Sequence, residues 1–115
     1  MRKKLKLKDY MSGKELAELL HRSRLKWNNG AVIQREGRTH SYCMLGQIAR
    51  HAGVDNDTLQ LSGLPGSPSV IPNLNDKAAT KAECVKNFCD HDGLIPVKGW
   101  VDRLLAEQQQ RKEGR

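Results

Sequence analysis

The residue types needed for thiol chemistry occur around Cys43. His40, three residues earlier, could accept the thiol proton, and Asn75 or Asp76 could orient the imidazole ring. A cysteine near the start of a helix also has its thiolate form favoured by the helix dipole. Because Met44 and further apolar residues follow Cys43 directly, we favour the alternative in which it is a small buried core residue. Cys43, His40 and Asp76 are thus candidates for a catalytic site, but we do not assign a catalytic role to them.

Metal binding could involve a second group of cysteine and histidine residues. Cys84, Cys89 and His91 lie close together in the sequence, and His40 or His51 could join them. On a helix of 3.6 residues per turn, however, Cys84 and Cys89 point about 140° apart, unlike the Cys-x₂₋₄-Cys spacing of ordinary zinc sites. We therefore expect no metal ion and no cofactor.

The segment 45–60 has the spacing of a helix-turn-helix. Ala49 permits close contact between two helices, and Gly53, four residues later, relieves strain in the turn. Positions 54–76, which would include the recognition helix, contain no lysine or arginine, so the segment offers phosphates a poor surface. We favour an amphipathic helix that ends at a glycine cap, with DNA binding as the alternative. The residues that could read base edges in that alternative are Asn56, Thr58 and Gln60.

The formal net charge of +7 is concentrated at the start of the chain. Residues 1–9 hold five basic side chains against Asp9, whereas the body, residues 10–106, holds twelve basic against ten acidic ones. The five cations could contact phosphates or an acidic surface of a host protein, and a solvated disordered tail is the alternative. They are Arg2, Lys3, Lys4, Lys6 and Lys8.

A chain of 115 residues has the size of a single domain. No stretch approaches the roughly 20 apolar residues of a membrane-spanning helix, and the basic start lacks the apolar segment of a secretory signal. Three cysteines are an odd number for a disulfide framework. We expect a cytosolic protein with reduced thiols and no membrane partner. Its oligomeric state stays open, because Trp100 and Leu104 could belong to the core or to a dimer contact.

Apolar periodicity and capping residues predict about four short helices. Ser12 and Glu15 form a capping box before the first helix, and Thr80 and Glu83 form a second box. The helices are expected at 13–26, at 42–52 ending before Gly53, from Asn75-Asp76 to Gly93, and at about 97–105.

Two segments lack a helical pattern. The β-prone residues 31–34, followed by Gly37, predict a small hairpin, and the residues 55–73, rich in Pro and Gly, predict a loop with a short strand at 69–71. The predicted fold is mainly α, with α+β as the alternative, in one compact domain. We expect a disordered basic arm at 1–9, the globular domain at 10–106 and a polar C-terminal tail at 107–115.

Several of these residues form a pattern that resembles a family of uncharacterised small bacterial and phage proteins. The family has Cys-Ala-Leu-Gly-Ala followed by Trp-Asn-Asp before a helix. This chain has Cys43-Met44-Leu45-Gly46-Gln47 and Leu74-Asn75-Asp76 before a helix led by Thr80, so it departs at Met44, Gln47 and Leu74. The resemblance, over about residues 12–90, implies a bacterial or phage cytosolic protein without a particular chemistry. It also implies that Gly46 allows another element to approach closely and that Asn75-Asp76 caps a helix.

The function that we expect is a non-enzymatic interaction role. The protein would bind a host macromolecule, such as a host protein with an acidic surface, through the basic arm and one face of the domain. One alternative is a DNA-binding protein that uses the segment 45–60 and the basic arm. A second alternative is a thiol enzyme that uses Cys43.

Overall fold

The computed structural model describes residues 7–62 and 66–114, which form six helices and five strands. In chain order they are β1 (Tyr10–Ser12), α1 (Gly13–Arg22), β2 (Lys26–Trp27), β3 (Gln34–Glu36), β4 (Thr39–Tyr42), α2 (Met44–His51), α3 (Asn56–Ser62), α4 (Val70–Asp76), α5 (Lys81–Cys89), β5 (Leu94–Pro96) and α6 (Lys98–Glu113). None of the helices in these two ranges is long and apolar enough to cross a membrane.

The strands form two small sheets, so the fold is α+β and the prediction of a mainly α fold is wrong. β1 pairs with β5 in an antiparallel ribbon, and β2, β4 and β3 form a three-stranded sheet in that order. β2 runs parallel to β4, whereas β3 is antiparallel to it. Each strand has only two to four residues, which is too short for an alternating apolar pattern to be visible in the sequence.

The first helix begins as predicted and ends earlier. Ser12 Oγ accepts a hydrogen bond from Glu15 N at 3.1 Å, and Glu15 Oε1 accepts one from Ser12 N at 3.0 Å, which confirms the capping box. The helix stops at Arg22 instead of residue 26, and Trp27 belongs to β2, where it pairs with Tyr42. A tertiary pairing therefore takes Trp27 out of the apolar series that predicted a longer helix.

The hairpin and the second helix are close to the prediction. β3 and β4 are joined at Gly37, which has a φ of 65°, although the first strand begins at Gln34 and not at residue 31. α2 covers Met44–His51, and Gly53 follows it with a φ of 106°, a conformation that glycine adopts without steric cost.

Residues 55–73 are not a loop, and residues 69–71 are not a strand. Of the described residues among them, Asn56–Ser62 form α3 and 70–73 begin α4, with the non-helical residues 66–69 before α4; residues 63–65 lie outside the described part of the chain. α3 begins where Asp55 Oδ1 accepts a hydrogen bond from Thr58 N at 2.8 Å, which is side-chain capping of the first turn. Short helices built by such local caps leave little periodicity in the sequence.

The predicted third helix is in fact two helices. α4 ends at Asp76, so Asp76 closes a helix and does not cap the start of one. α5 begins after Thr80, whose Oγ1 accepts a hydrogen bond from Glu83 N at 3.2 Å. The predicted capping box is therefore only half formed, because Thr80 N does not donate to the Glu83 carboxylate. α5 ends at Cys89, and Gly93 lies beyond it, with a φ of 100°, immediately before β5.

The core lies where α1 packs against α5, where α2 contacts α1, α4 and β4, and where α6 packs against α3. Gly13 lets α1 and α5 approach closely, because a Cβ at this position would overlap the Phe88 carbonyl oxygen. Trp100 and Leu104 are each 3% exposed and therefore belong to the core. Residues 107–113, set apart as a polar tail, continue α6. The largest fully buried side chains include Phe88, Leu16, Leu20, Met44, Ile48, Leu59, Ile71 and Ile95.

Candidate functional site

Cys43 is a buried residue that precedes the first turn of α2. Burial raises the pKa of its thiol; hydrogen bonds from the backbone N–H groups of Gly46 and Leu45 oppose this rise only in part, and the charge of Asp76 adds to it. A nucleophilic cysteine needs the opposite shift, because the thiolate is the reactive form. The environment of Cys43 is thus that of a packed core thiol.

The structure does not place His40 and Asp76 in hydrogen-bond contact with Cys43. His40 lies half-buried on β4, where its ring centroid is 6.5 Å from that of Tyr42. Asp76 is exposed at the end of α4. Across residues 7–62 and 66–114, no hydrogen bond joins Cys43 to His40 or Asp76.

Asn75 caps a helix, but the helix is α2 and not the one that follows Asn75 in the sequence. Its Oδ1 accepts hydrogen bonds from Met44 N at 3.0 Å, Trp27 Nε1 at 2.9 Å and Cys84 Sγ at 3.3 Å. Its Nδ2 donates to Asn29 O at 3.0 Å. With 1% of its surface exposed, Asn75 is a buried structural amide that joins α4 to β2 and the loop after it, to α2 and to α5.

The cysteine and histidine residues do not form a metal site. Cys84 is buried beside Asn75, and this burial raises the pKa of its thiol to about 12, whereas Cys89 is exposed on another side of α5. The described ranges contain no group of three or more His, Cys, Asp or Glu residues that could hold a metal ion.

Ser23 and His51 form a polar contact that sequence analysis missed, since 28 residues separate them. The His51 Nε2 to Ser23 Oγ distance is 2.8 Å, which resembles a nucleophilic pair. The Ser23 hydroxyl, however, donates its proton to Gln47 Oε1, because Gln47 Nε2 donates to backbone carbonyls such as Leu25 O. Ser23 Oγ therefore accepts from His51, the reverse of the proton transfer that a serine nucleophile needs.

The predicted helix-turn-helix segment does form two helices joined by a turn, yet the three base-reading candidates on α3 are not presented together. Asn56 Oδ1 accepts a hydrogen bond from the Tyr42 hydroxyl at 2.7 Å. Thr58 is 1% exposed, and its Oγ1 accepts a hydrogen bond from the guanidinium of Arg111 in α6. Gln60 is exposed. α3 thus turns one of the three side chains towards the core and ties a second to β4.

Two cations of α6, Arg111 and Lys112, are engaged in the fold. Arg111 and Lys112 lie 3.4 Å and 3.6 Å from the carboxylate oxygens of Asp55. Partial burial acts to raise the pKa of Asp55, but hydrogen bonds from Thr58 and these two charges hold it below its usual value. Of the basic arm, Lys8 lies in the described residues and pairs with Glu15; Arg2, Lys3, Lys4 and Lys6 lie outside them.

Charge is strongly segregated within the body, although the body as a whole is almost neutral. Residues 19–54 hold six basic side chains and one acidic one, a formal charge of +5. The rest of the body, 10–18 and 55–106, holds six basic and nine acidic side chains, a formal charge of −3. The positive segment contains Arg22, Arg24, Lys26, Arg35, Arg38 and Arg50. It folds into the end of α1, the three-stranded sheet and α2.

Arg35 and Arg50 lie towards one side of the three-stranded sheet, and Arg38 lies in the turn at its end. Arg35 lies directly across from His40 in the β3–β4 pair, so both side chains project from the same side. The Arg50 guanidinium lies 6.0 Å from the centroid of the Tyr42 ring and donates to Val54 O at 2.9 Å. Arg38 is exposed in the hairpin turn. We call the set Arg35, Arg38, His40 and Arg50 the arginine face.

The one acidic residue of the segment lies on the opposite side of the sheet. Glu36 pairs with Thr39, whose side chain shares a side with Ser41 and not with His40. Hydrogen bonds from Lys26 and Ser41 hold the pKa of Glu36 below its usual value, so this carboxylate is ionised and already paired. The arginine face therefore carries positive charge without an opposing carboxylate from its own sheet.

Comparisons with family models, curated proteins and solved structures found no match for this chain. The resemblance to the bacterial and phage family therefore stays a prediction.

Proposed function

We propose that this protein is a non-enzymatic binding protein that holds an acidic macromolecule against the arginine face. The observation that supports the proposal is the segregation of charge, with a formal +5 on residues 19–54 and −3 on the rest of the body. A surface of one sign raises the local concentration of oppositely charged partners and speeds their association. A location in the cytosol of a bacterial host cell is part of the proposal.

The chemistry of the buried groups favours binding over catalysis. The raised pKa of Cys43 opposes thiolate formation, and the direction of the Ser23–His51 hydrogen bond opposes a serine nucleophile. The basic arm would extend the same electrostatic attraction to the partner, through Arg2, Lys3, Lys4, Lys6 and Lys8.

Retention on immobilised heparin, a defined polyanion, tests this role. The variant Arg35→Glu/Arg38→Glu removes two exposed cations from the arginine face and should elute at clearly lower salt than the wild type. The matched control is Lys14→Glu/Lys77→Glu, which makes the same change in net charge at exposed positions outside residues 19–54.

The two variants distinguish binding by a localised surface from binding by net charge alone. The control should elute close to the wild type if a localised surface does the binding. An equal decrease in the elution salt concentration of the two variants would contradict the proposal, because net charge alone would then govern retention.

A further inference from the structure

We infer that the acidic macromolecule is a nucleic acid and that the arginine face binds its phosphate backbone. The inference rests on the proposed binding role and names the class of partner. It differs from base reading by α3, because the contacting groups lie on β3, β4, the hairpin turn and the end of α2.

The type of cation in the segment that contains the arginine face supports phosphate recognition. Five of the six basic residues in 19–54 are arginine, whereas five of the six in the rest of the body are lysine, with Arg103 as the exception. The planar guanidinium offers five donors in a fixed fork that matches two phosphate oxygens at once, while the lysine ammonium acts as a point charge. The two kinds of cation are thus separated in the same way as the net charge.

The guanidinium groups are also partly oriented before any partner binds. Arg50 is held between the Tyr42 ring and Val54 O, and Arg35 Nε donates to Gly37 O at 3.2 Å. Side chains that are already ordered lose less conformational entropy when they form a contact.

The position of the most exposed apolar side chains favours a nucleic acid over an acidic protein. The large apolar side chains exposed in the described ranges are Tyr10, Leu61 and Leu94, and none of them lies in 19–54. Specific protein–protein interfaces have a desolvated core of aromatic and aliphatic side chains. Interfaces with nucleic acids are more polar and far more positively charged, as this surface is.

Binding should be measured by fluorescence anisotropy with the full chain and two labelled probes, a duplex DNA of 20 base pairs and a single-stranded RNA of 20 nucleotides. For each protein, log K is plotted against log salt concentration. Each phosphate contact contributes a slope of about −0.9 for duplex DNA, so Arg35→Ala/Arg38→Ala should reduce the slope by about 2 and weaken binding at least about tenfold.

Two further variants serve as controls for charge and for folding. Arg35→Lys/Arg38→Lys keeps the charges and loses the guanidinium fork, so it should restore the slope while binding more weakly than the wild type. Lys14→Ala/Lys77→Ala removes two exposed cations elsewhere and should bind within about twofold of the wild type, with nearly the same slope.

The outcomes separate this inference from the proposed function. Retention on heparin through the arginine face without binding to either probe would overturn the inference and leave the binding role, with an acidic protein as the partner. Nucleic-acid binding that the Arg35→Ala/Arg38→Ala variant leaves unchanged would overturn the inference, because other cations of the chain would then make the contacts. If the protein binds neither heparin nor either probe, the inference and the proposed function are both overturned.

Discussion

The Tyr42 hydroxyl donates a hydrogen bond to Asn56 Oδ1 at 2.7 Å and so joins the last residue of β4 to the first residue of α3. Tyr42 is 4% exposed, and its ring also contacts His40 and Arg50 of the arginine face. One side chain therefore supports the cationic side of the sheet and positions the helix that follows α2.

Removal of this hydroxyl should destabilise the fold by about 1 kcal/mol, because Tyr42→Phe leaves the Asn56 oxygen without its donor. Urea denaturation followed by circular dichroism measures the change. Tyr10→Phe is the matched control, since Tyr10 is 57% exposed, and its free energy of unfolding should be close to that of the wild type. A similar loss in both variants would contradict the role assigned to the Tyr42–Asn56 bond.

Asn75→Ala should lower the free energy of unfolding by about 3 kcal/mol, because three donors lose their shared acceptor in the interior. The fluorescence of Trp27, whose indole N–H is one of those donors, should change as well. Asn73→Ala is the control: this amide is exposed on the same helix, two residues away. Equal stability of the two variants would show that Asn75 does not join the elements as described.

One thiol of the three should react readily in the folded protein. Cys89 is exposed, whereas Cys43 and Cys84 are buried and burial raises the pKa of each. Alkylation with iodoacetamide at pH 8, followed by peptide mass mapping, should modify Cys89 first and the other two only in denaturant. Rapid modification of Cys43 in the native state would contradict this and favour the thiol enzyme.

Gly46→Ala should destabilise the fold by about 2 kcal/mol, because the new methyl group would overlap the Val32 carbonyl oxygen. Thermal unfolding gives the measurement. Gly99→Ala provides the contrast, since nothing lies within 4 Å of the added Cβ and alanine favours helices; this variant should be as stable as the wild type or up to about 1 kcal/mol more stable. A Gly46→Ala protein as stable as the wild type would contradict the close approach of Gly46 to the Val32 carbonyl oxygen.

Local chemistry in the sequence determined the features that depend on neighbouring residues. The Ser12–Glu15 capping box, the hairpin at Gly37, the turn at Gly53 and the cap at Thr80 were all predictable, because each needs a particular residue type within three or four positions. The close approach at Gly46, which the family resemblance implied, is also confirmed.

Only the tertiary structure decided the features that depend on residues distant in the chain. The pairing of β1 with β5 makes the fold α+β, and Trp27 joins a strand because Tyr42 lies beside it. Asn75 caps α2 across 31 residues, a contact that no local pattern encodes. The charge difference could be counted along the chain, but the arginine face exists because β3, β4 and α2 bring its side chains together. Short elements carry little periodic signal, so long-range packing decided their type and their partners.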